Sequence, residues 1–353
     1  MDSAEKFLKS LVKSGKTPAL HYLHFNSENI IYGFVDGFAN IKNERKATDQ
    51  TVFHACSVTK TFTALATLQL VEQGKITIES AVADYWPEFP YPGGITVHQL
   101  LSHTAGIPNP IPLSWIHLDT EHSAFDRNSF FKVIFNKHNR ARSRPDEKFF
   151  YSNLGYVLLG QLIEKITGAP YEQFIFENII SKLSLRPDEL GFTIDSHFRN
   201  ATGYQKNRSL MNLLLGFFLN KSKFMDKREG NWKPFKTFYI NGPSYGGLIG
   251  SAHSFRKYLQ ALLGKNNSLI SEEYKRLLFT ENYTGDNAPT GMCLSWFCGQ
   301  FKGRKYFAHP GGGGGYYCEI RLYPEINRGS VIMFNRTGMS NEKCLDKVDK
   351  FFI

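Results

Sequence analysis

The chain has 353 residues, enough for one large domain or two interleaved ones, and its 42% hydrophobic and 14% aromatic content excludes a disordered polypeptide. Lys and Arg outnumber Asp and Glu by 42 to 32, a formal net charge of +10, and a basic balance points toward acidic partners or a membrane surface. The basic residues are scattered, however, and their densest groups, 137–144 and 221–228, are not interleaved with aromatics and carry no nucleic-acid motif. No nucleic-acid partner is therefore expected, and the charge reads as solvated surface.

In chain order, residues 1–15 form an amphipathic helical pattern (Phe7, Leu8, Leu11, Val12) with no unbroken apolar segment behind it, unlike a signal peptide. Strand-like runs at 20–25 and 30–39 flank the turn-forming Asn26-Ser27-Glu28-Asn29. A β-leaning segment then enters Val52-Phe53-His54-Ala55-Cys56-Ser57-Val58-Thr59-Lys60, where Ser57 opens a helical pattern through Ala64, Leu65, Leu68 and Val71 that stops at Gly74. Ser57 thus belongs at a helix N-terminus, where unpaired N–H groups gather partial positive charge, and Lys60 lies one turn along the same face. An ammonium or amine beside a hydroxyl in such a field can turn serine into a nucleophile, although a serine at a helix start is also a common cap.

Residues 84–92 read as irregular and 96–102 as a short helix ending in the turn His103-Thr104-Ala105-Gly106, with His103 read as a packed turn histidine. Helices follow over 128–136, 154–167 (closed by Gly168) and 171–183, with a basic loop up to Arg144 between the first two. Tyr151 and Asn153, spaced i, i+2 in an extended segment, point the same way. The apolar run 209–219, followed by Lys221, Lys223, Lys227 and Arg228, is too short to span a bilayer. It reads as a core helix, or as an apolar flap that binds an acyl chain or rests on a membrane surface. After the glycine-rich 242–250 come a helix at 255–263, strand-like runs at 292–298, 305–309, 316–323 and 330–335, and a terminal helix at 342–352. His309-Pro310 leads into five glycines, with no Gly-Lys-Ser/Thr after them to make a P-loop.

This order predicts an α/β (α+β) fold: an antiparallel sheet built from both chain ends, residues 1–80 and 242–353, flanked by helices, with a mostly helical domain inserted at 81–241 and a site in the cleft between them. Five cysteines (Cys56, Cys293, Cys298, Cys318, Cys344) in no C-x-x-C pair, and no H-E-x-x-H, imply neither a disulfide framework nor a zinc site. No cofactor or metal is expected. A soluble protein is expected, cytoplasmic, or periplasmic or secreted if a signal was removed.

The ordered set Ser57-x-x-Lys60, Tyr151-x-Asn153 and His309-x-Gly311 resembles the serine β-lactamase and penicillin-binding-protein-like hydrolases, nearest the class C β-lactamase-related esterases and D-aminopeptidases. Leu100-Leu101-Ser102-His103-Thr104-Ala105-Gly106 and the run from Tyr151 to Gly168 are similar too, so the resemblance covers nearly the whole chain. It implies a β-lactamase/transpeptidase-like fold and an acyl-enzyme mechanism. Ser57 would be the nucleophile, and Lys60 and Tyr151 would share the base role, with Tyr151 ionising more easily than a free phenol beside the Lys60 charge. Asn153 would orient Lys60 and meet the substrate, and the N–H groups of Ser57 and Gly312 would form the oxyanion hole, with Gly311 letting substrate lie close. The sequence departs from the family where Lys-Thr-Gly is usual and His309-Pro310-Gly311 stands instead: a mostly neutral imidazole, and no hydroxyl to bind a carboxylate. The expectation is an esterase on neutral acyl substrates, with activity falling as His309 protonates on the acid side of neutrality. Alternatives are a D-aminopeptidase, D-Ala-D-Ala carboxypeptidase or β-lactamase taking a small peptide or β-lactam, and a non-catalytic penicillin-binding or sensor protein.

Overall fold

The computed structural model describes residues 2–91, 94–194, 198–207, 216–264 and 268–353. Its largest element is a seven-stranded sheet, labelled here in chain order as β1 (Ala19–Phe25), β2 (Ile30–Asn40), β3 (Arg45–Lys46), β4 (Phe297–Phe301), β5 (Arg304–Gly313), β6 (Tyr316–Tyr323) and β7 (Arg328–Phe334). In space the order is β4-β5-β6-β7-β1-β2-β3, and every pairing is antiparallel. The two chain ends meet where β1 pairs with β7, Leu20 opposite Phe334 and Phe25 opposite Gly329.

Period-two alternation assigns the faces of this sheet. Leu20 and Tyr22 of β1, with Ile332 and Phe334 of β7, bury against Leu8 and Leu11 of the first helix (Asp2–Lys13) and Leu345 and Val348 of the last (Cys344–Asp349). Leu23, Ile320, Val331 and Met333 look the other way, into the main core, where the helix Ala252–Leu263 packs. The strands β5 and β6 follow from sequence with one change. β5 runs on through His309 to Gly313, so most of the glycine run is sheet, and only Gly314 and Gly315, at φ 56° and 91°, make the turn for which glycine is needed.

The helix Thr59–Glu72 is buried on all sides from Thr59 to Leu70, more fully than its apolar spacing implies. Its threonines are accommodated by hydrogen bonds: Thr61 and Thr67 donate to Val58 O and Thr63 O at 2.8 Å, and Thr59 Oγ1 accepts from Leu248 N. Phe62 stacks on Tyr258 with ring centroids 3.9 Å apart and meets Phe255 edge-on. The helix Asn153–Thr167 lies alongside, and the short helix Pro243–Gly246 returns the chain next to it.

Three sequence expectations change. The 171–183 helix is α-helical only over Tyr171–Ile175, then widens and tightens through Phe176–Ile180 and Ser181–Leu183. The 292–298 strand begins at Phe297, because Ser295 takes a left-handed backbone at φ 69° that no strand tolerates. The middle of the chain also holds short strand pairs, Ile116–Leu118 with Phe238–Ile240 and Tyr204–Lys206 with Trp232–Pro234. Of the apolar run 209–219, residues 209–215 lie outside the described residues. Among the described residues no helix is long and apolar enough to cross a membrane.

Because Phe62 joins the Thr59–Glu72 helix to the Ala252–Leu263 helix, Phe62→Ala is expected to cost about 3–5 kcal/mol in urea unfolding. A loss below about 1 kcal/mol would show that the stacked pair contributes little.

Candidate active site

The site starts from a tight turn. The strand Phe53–His54 pairs with Ile249–Gly250, and the chain then passes through Cys56 at φ 49° into a short 3₁₀ turn and the Thr59–Glu72 helix. A left-handed non-glycine residue costs about 1–3 kcal/mol. Here it swings Ser57 out of the core while its neighbours stay buried.

Lys60, one helical turn on, is fully buried. Its Nζ lies 3.1 Å from Ser57 Oγ, 2.8 Å from Asn153 Oδ1 and 2.8 Å from the Tyr245 carbonyl oxygen. No carboxylate is among these partners. Burial therefore holds the Lys60 pKa well below the ordinary lysine value. Three acceptors, Ser57 Oγ, Asn153 Oδ1 and Tyr245 O, thus surround a nitrogen whose charge burial disfavours. The rings of Tyr151, Tyr245 and Tyr156 surround the same nitrogen at 5.1, 5.3 and 5.6 Å. Their faces favour a cation once the nitrogen takes up a proton.

The Tyr151-x-Asn153 pair converges on Lys60. Ser152, not Asn153, caps the following helix, its Oγ accepting from Gly155 N at 3.0 Å. Asn153 is thereby released for Lys60, and its amide is fixed by Nδ2 donating to Asn109 Oδ1 at 3.1 Å. Tyr151 keeps some surface, but the protein packed around its hydroxyl pushes the phenol pKa up, with a hydrogen bond to Ser57 opposing that only in part. This corrects the expectation of an easily ionised Tyr151. The cation meant to lower its pKa is an amine that burial itself disfavours charging.

His309 is also fully buried. Its Nδ1–H donates to the Ser295 carbonyl, so Nε2 presents a lone pair to the Tyr151 hydroxyl at 3.5 Å, a long hydrogen bond. Burial first, and nearby Lys60 second, hold its pKa at about 3. His309 is therefore neutral throughout the acid side of neutrality, and the expected fall in activity there is corrected to a position far lower in pH. His103 packs as a turn histidine: Nδ1 accepts from Ser152 N at 3.1 Å, and its ring lies 4.4 Å from that of Tyr151.

Gly311 lies against the turn that carries Ser57. A Cβ there would meet Ala55 O at 2.2 Å and Ser57 N at 2.8 Å. Gly312, Gly313 and Gly314 then line a cavity of about 110 Å³ in front of Ser57, together with Asn153 and Tyr245. Its remaining wall is mainly apolar, with Pro112, Leu113, Ile116, Leu219, Phe235, Phe238 and Ile240, and among the described residues no Lys, Arg or His lines it. Sequence reasoning missed Asn109, Tyr245 and Tyr156. Tyr156 was accessible, since it stands one helical turn after Asn153 and so on the same face. Tyr245, in the short helix Pro243–Gly246, and Asn109, in a separate loop, gave no local signal.

The beta-lactamase family model matches residues 5–350. The chain belongs to the beta-lactamase family. Solved structures that superpose on the chain share its fold. Penicillin-binding protein 4* of Bacillus subtilis is 33% identical over 151 residues, 43% of this chain and 33% of that protein. The curated relatives matched are longer proteins, of which this chain spans between 33% and 60%. The octameric penicillin-binding protein homologue of Pyrococcus abyssi superposes with a TM-score of 0.81 at 24% identity, covering 99% of this chain and 77% of that one. EstCE1, a hydrolase with promiscuous acyltransferase activity, gives 0.79 at 17% identity, covering 100% and 98%.

Gly311→Ala forces β5 away from the Ser57 turn and is expected to lower kcat by about 10²-fold or more, the loss typical of a disrupted oxyanion hole. Steady-state kinetics with circular dichroism to verify folding checks this, and unchanged kcat would show that the close approach is not needed.

Proposed function

We propose that the chain is an esterase acting on neutral acyl substrates through an acyl-enzyme on Ser57. The observation that supports this reading is the cavity wall: seven apolar side chains and, among the described residues, no Lys, Arg or His lining it to hold a carboxylate where a penicillin or a D-Ala-D-Ala terminus presents one. An ester with an uncharged leaving group needs no such grip.

In this reading the neutral Lys60 amine takes the Ser57 Oγ proton as Oγ adds to the ester carbonyl carbon. The Ser57 and Gly312 N–H groups receive the developing oxyanion. As the tetrahedral adduct collapses, the C–O bond to the alcohol breaks, and the departing alkoxide takes a proton supplied through the Tyr151 hydroxyl from the Lys60 ammonium. Tyr151 acts as a neutral proton carrier, oriented by the His309 lone pair. Water then repeats the sequence on the acyl-serine, releasing the acid. Asn153 holds Lys60 and offers its remaining amide hydrogen to the substrate.

Intact-protein mass spectrometry and turnover with short and medium p-nitrophenyl esters test this beside Ser57→Ala. Ester turnover that is lost in Ser57→Ala is expected, with penicillin hydrolysis below the usual enzymatic range of about 10⁴ M⁻¹s⁻¹. Penicillin or cephalosporin hydrolysis at or above that level would overturn the esterase reading. A stable penicillin adduct on Ser57 would replace it with a cell-wall peptidase or penicillin-binding role.

A further inference from the structure

Away from the cavity, three side chains from separate elements meet behind the main sheet. His21 stands on β1 on the face that looks toward the helix Ala252–Leu263, and His253 is the second residue of that helix. Asp49 rides on the turn between them, which is pinned by Thr48 N donating to Thr51 Oγ1 at 2.8 Å and Thr51 N donating to Thr48 O at 3.0 Å. His21 Nε2 lies 3.5 Å from Asp49 Oδ1, and His253 Nε2 lies 3.7 Å from the same oxygen. One donor atom of each residue lies within 4.8 Å of the other two.

His21 is the telling member. It is fully buried, and neither ring nitrogen has a hydrogen-bond partner. Buried imidazole nitrogens are normally paired, and the hydrolase site makes no use of this one. The separations are long for direct N–H···O bonds. They lie close to the edge of a tetrahedron, for which bonds of about 2.0–2.2 Å set ligand atoms about 3.3–3.6 Å apart: the His21–Asp49 separation falls inside that range and the His253–Asp49 separation just beyond it.

We propose that His21, Asp49 and His253 bind a divalent transition-metal ion of the zinc type, with a fourth position open to solvent beside the exposed Asp49. Two imidazoles and one carboxylate suit Zn²⁺, Co²⁺ or Ni²⁺, whereas Mg²⁺ and Ca²⁺ prefer oxygen donors. The ion would clip β1 and the helix Ala252–Leu263 to the segment that runs directly into Phe53–His54 and Ser57. Positions 21, 49 and 253 are too far apart in sequence to form a recognisable motif.

The test uses the whole chain, stripped with chelator. Zn²⁺ is titrated calorimetrically and Co²⁺ by visible absorption, with thermal melts in parallel. Saturable binding of one equivalent, a tetrahedral Co²⁺ band and a raised melting temperature are expected. Asp49→Asn and His253→Ala, at exposed and half-buried positions that spare the core, should each weaken binding by about tenfold or more. His21→Ala should abolish binding, and the two milder variants keep the test decisive if that protein does not fold. Absence of saturable binding, or binding unchanged in both Asp49→Asn and His253→Ala, overturns the proposal. So does binding lost instead in His117→Ala, since His117 and His122 form the other close imidazole pair, at 2.9 Å.

Discussion

The site depends on a buried amine without a counter-ion. Lys60 is enclosed by the nucleophile helix, the Asn153–Thr167 helix and the Pro243–Gly246 turn, and each supplies one of its polar partners or an aromatic ring. In water an amine next to a hydroxyl is simply protonated. In this enclosure desolvation disfavours the charge, while two carbonyl oxygens fix where the hydrogens point. In the proposed mechanism the uncharged amine aims its lone pair at Ser57. The same three tyrosine faces that accept a cation at about 5–6 Å make the protonated intermediate tolerable, so the enclosure serves both ends of the proton transfer.

The neutral His309 fits that logic. A cation at position 309 would share the site with Lys60 and help to ionise Tyr151. A buried imidazole tied to Ser295 O instead leaves Tyr151 a neutral phenol with a defined hydrogen-bond direction. In the proposed reading, the lack of a fixed charge at position 309 concentrates the base role on Lys60 and leaves anionic substrates less well held. The backbone contributes as well. Cys56, His103 and Ser295, all at left-handed φ values of 49°, 61° and 69°, sit beside the nucleophile, Tyr151 and His309 respectively. Strain of this kind persists only where packing over-determines it, and all three residues are buried.

Much of this was legible in the sequence. Alternation and turn residues placed β1, β2 and β6 within about a residue of their ends, and the helical pattern after Ser57 placed Lys60 on the face of the nucleophile. The family motifs then joined residues 57, 60, 151, 153 and 309, which the fold brings around one amine. What sequence did not reveal was set by tertiary enclosure. The phenol of Tyr151 was expected to ionise easily beside the Lys60 charge and the imidazole of His309 to protonate on the acid side of neutrality, and both are governed by burial instead. Asn109 acts through a side-chain acceptor on a loop and Tyr245 through a backbone carbonyl in a one-turn helix, contacts for which no spacing rule exists. The helix 171–183 looked continuous because its composition is helical throughout, while the change of hydrogen-bond pattern after Ile175 depends on packing.

The most direct test of this account is the ionisation state of Lys60 in the resting protein. Selective ¹⁵N,¹³C-lysine labelling with side-chain NMR across a pH series, assigned against Lys60→Met, isolates that one amine from the exposed lysines. A Lys60 resonance that has already lost its charge while the exposed lysines remain ammonium is the predicted result. A Lys60 that stays protonated alongside them would contradict it and move the base role away from the buried amine.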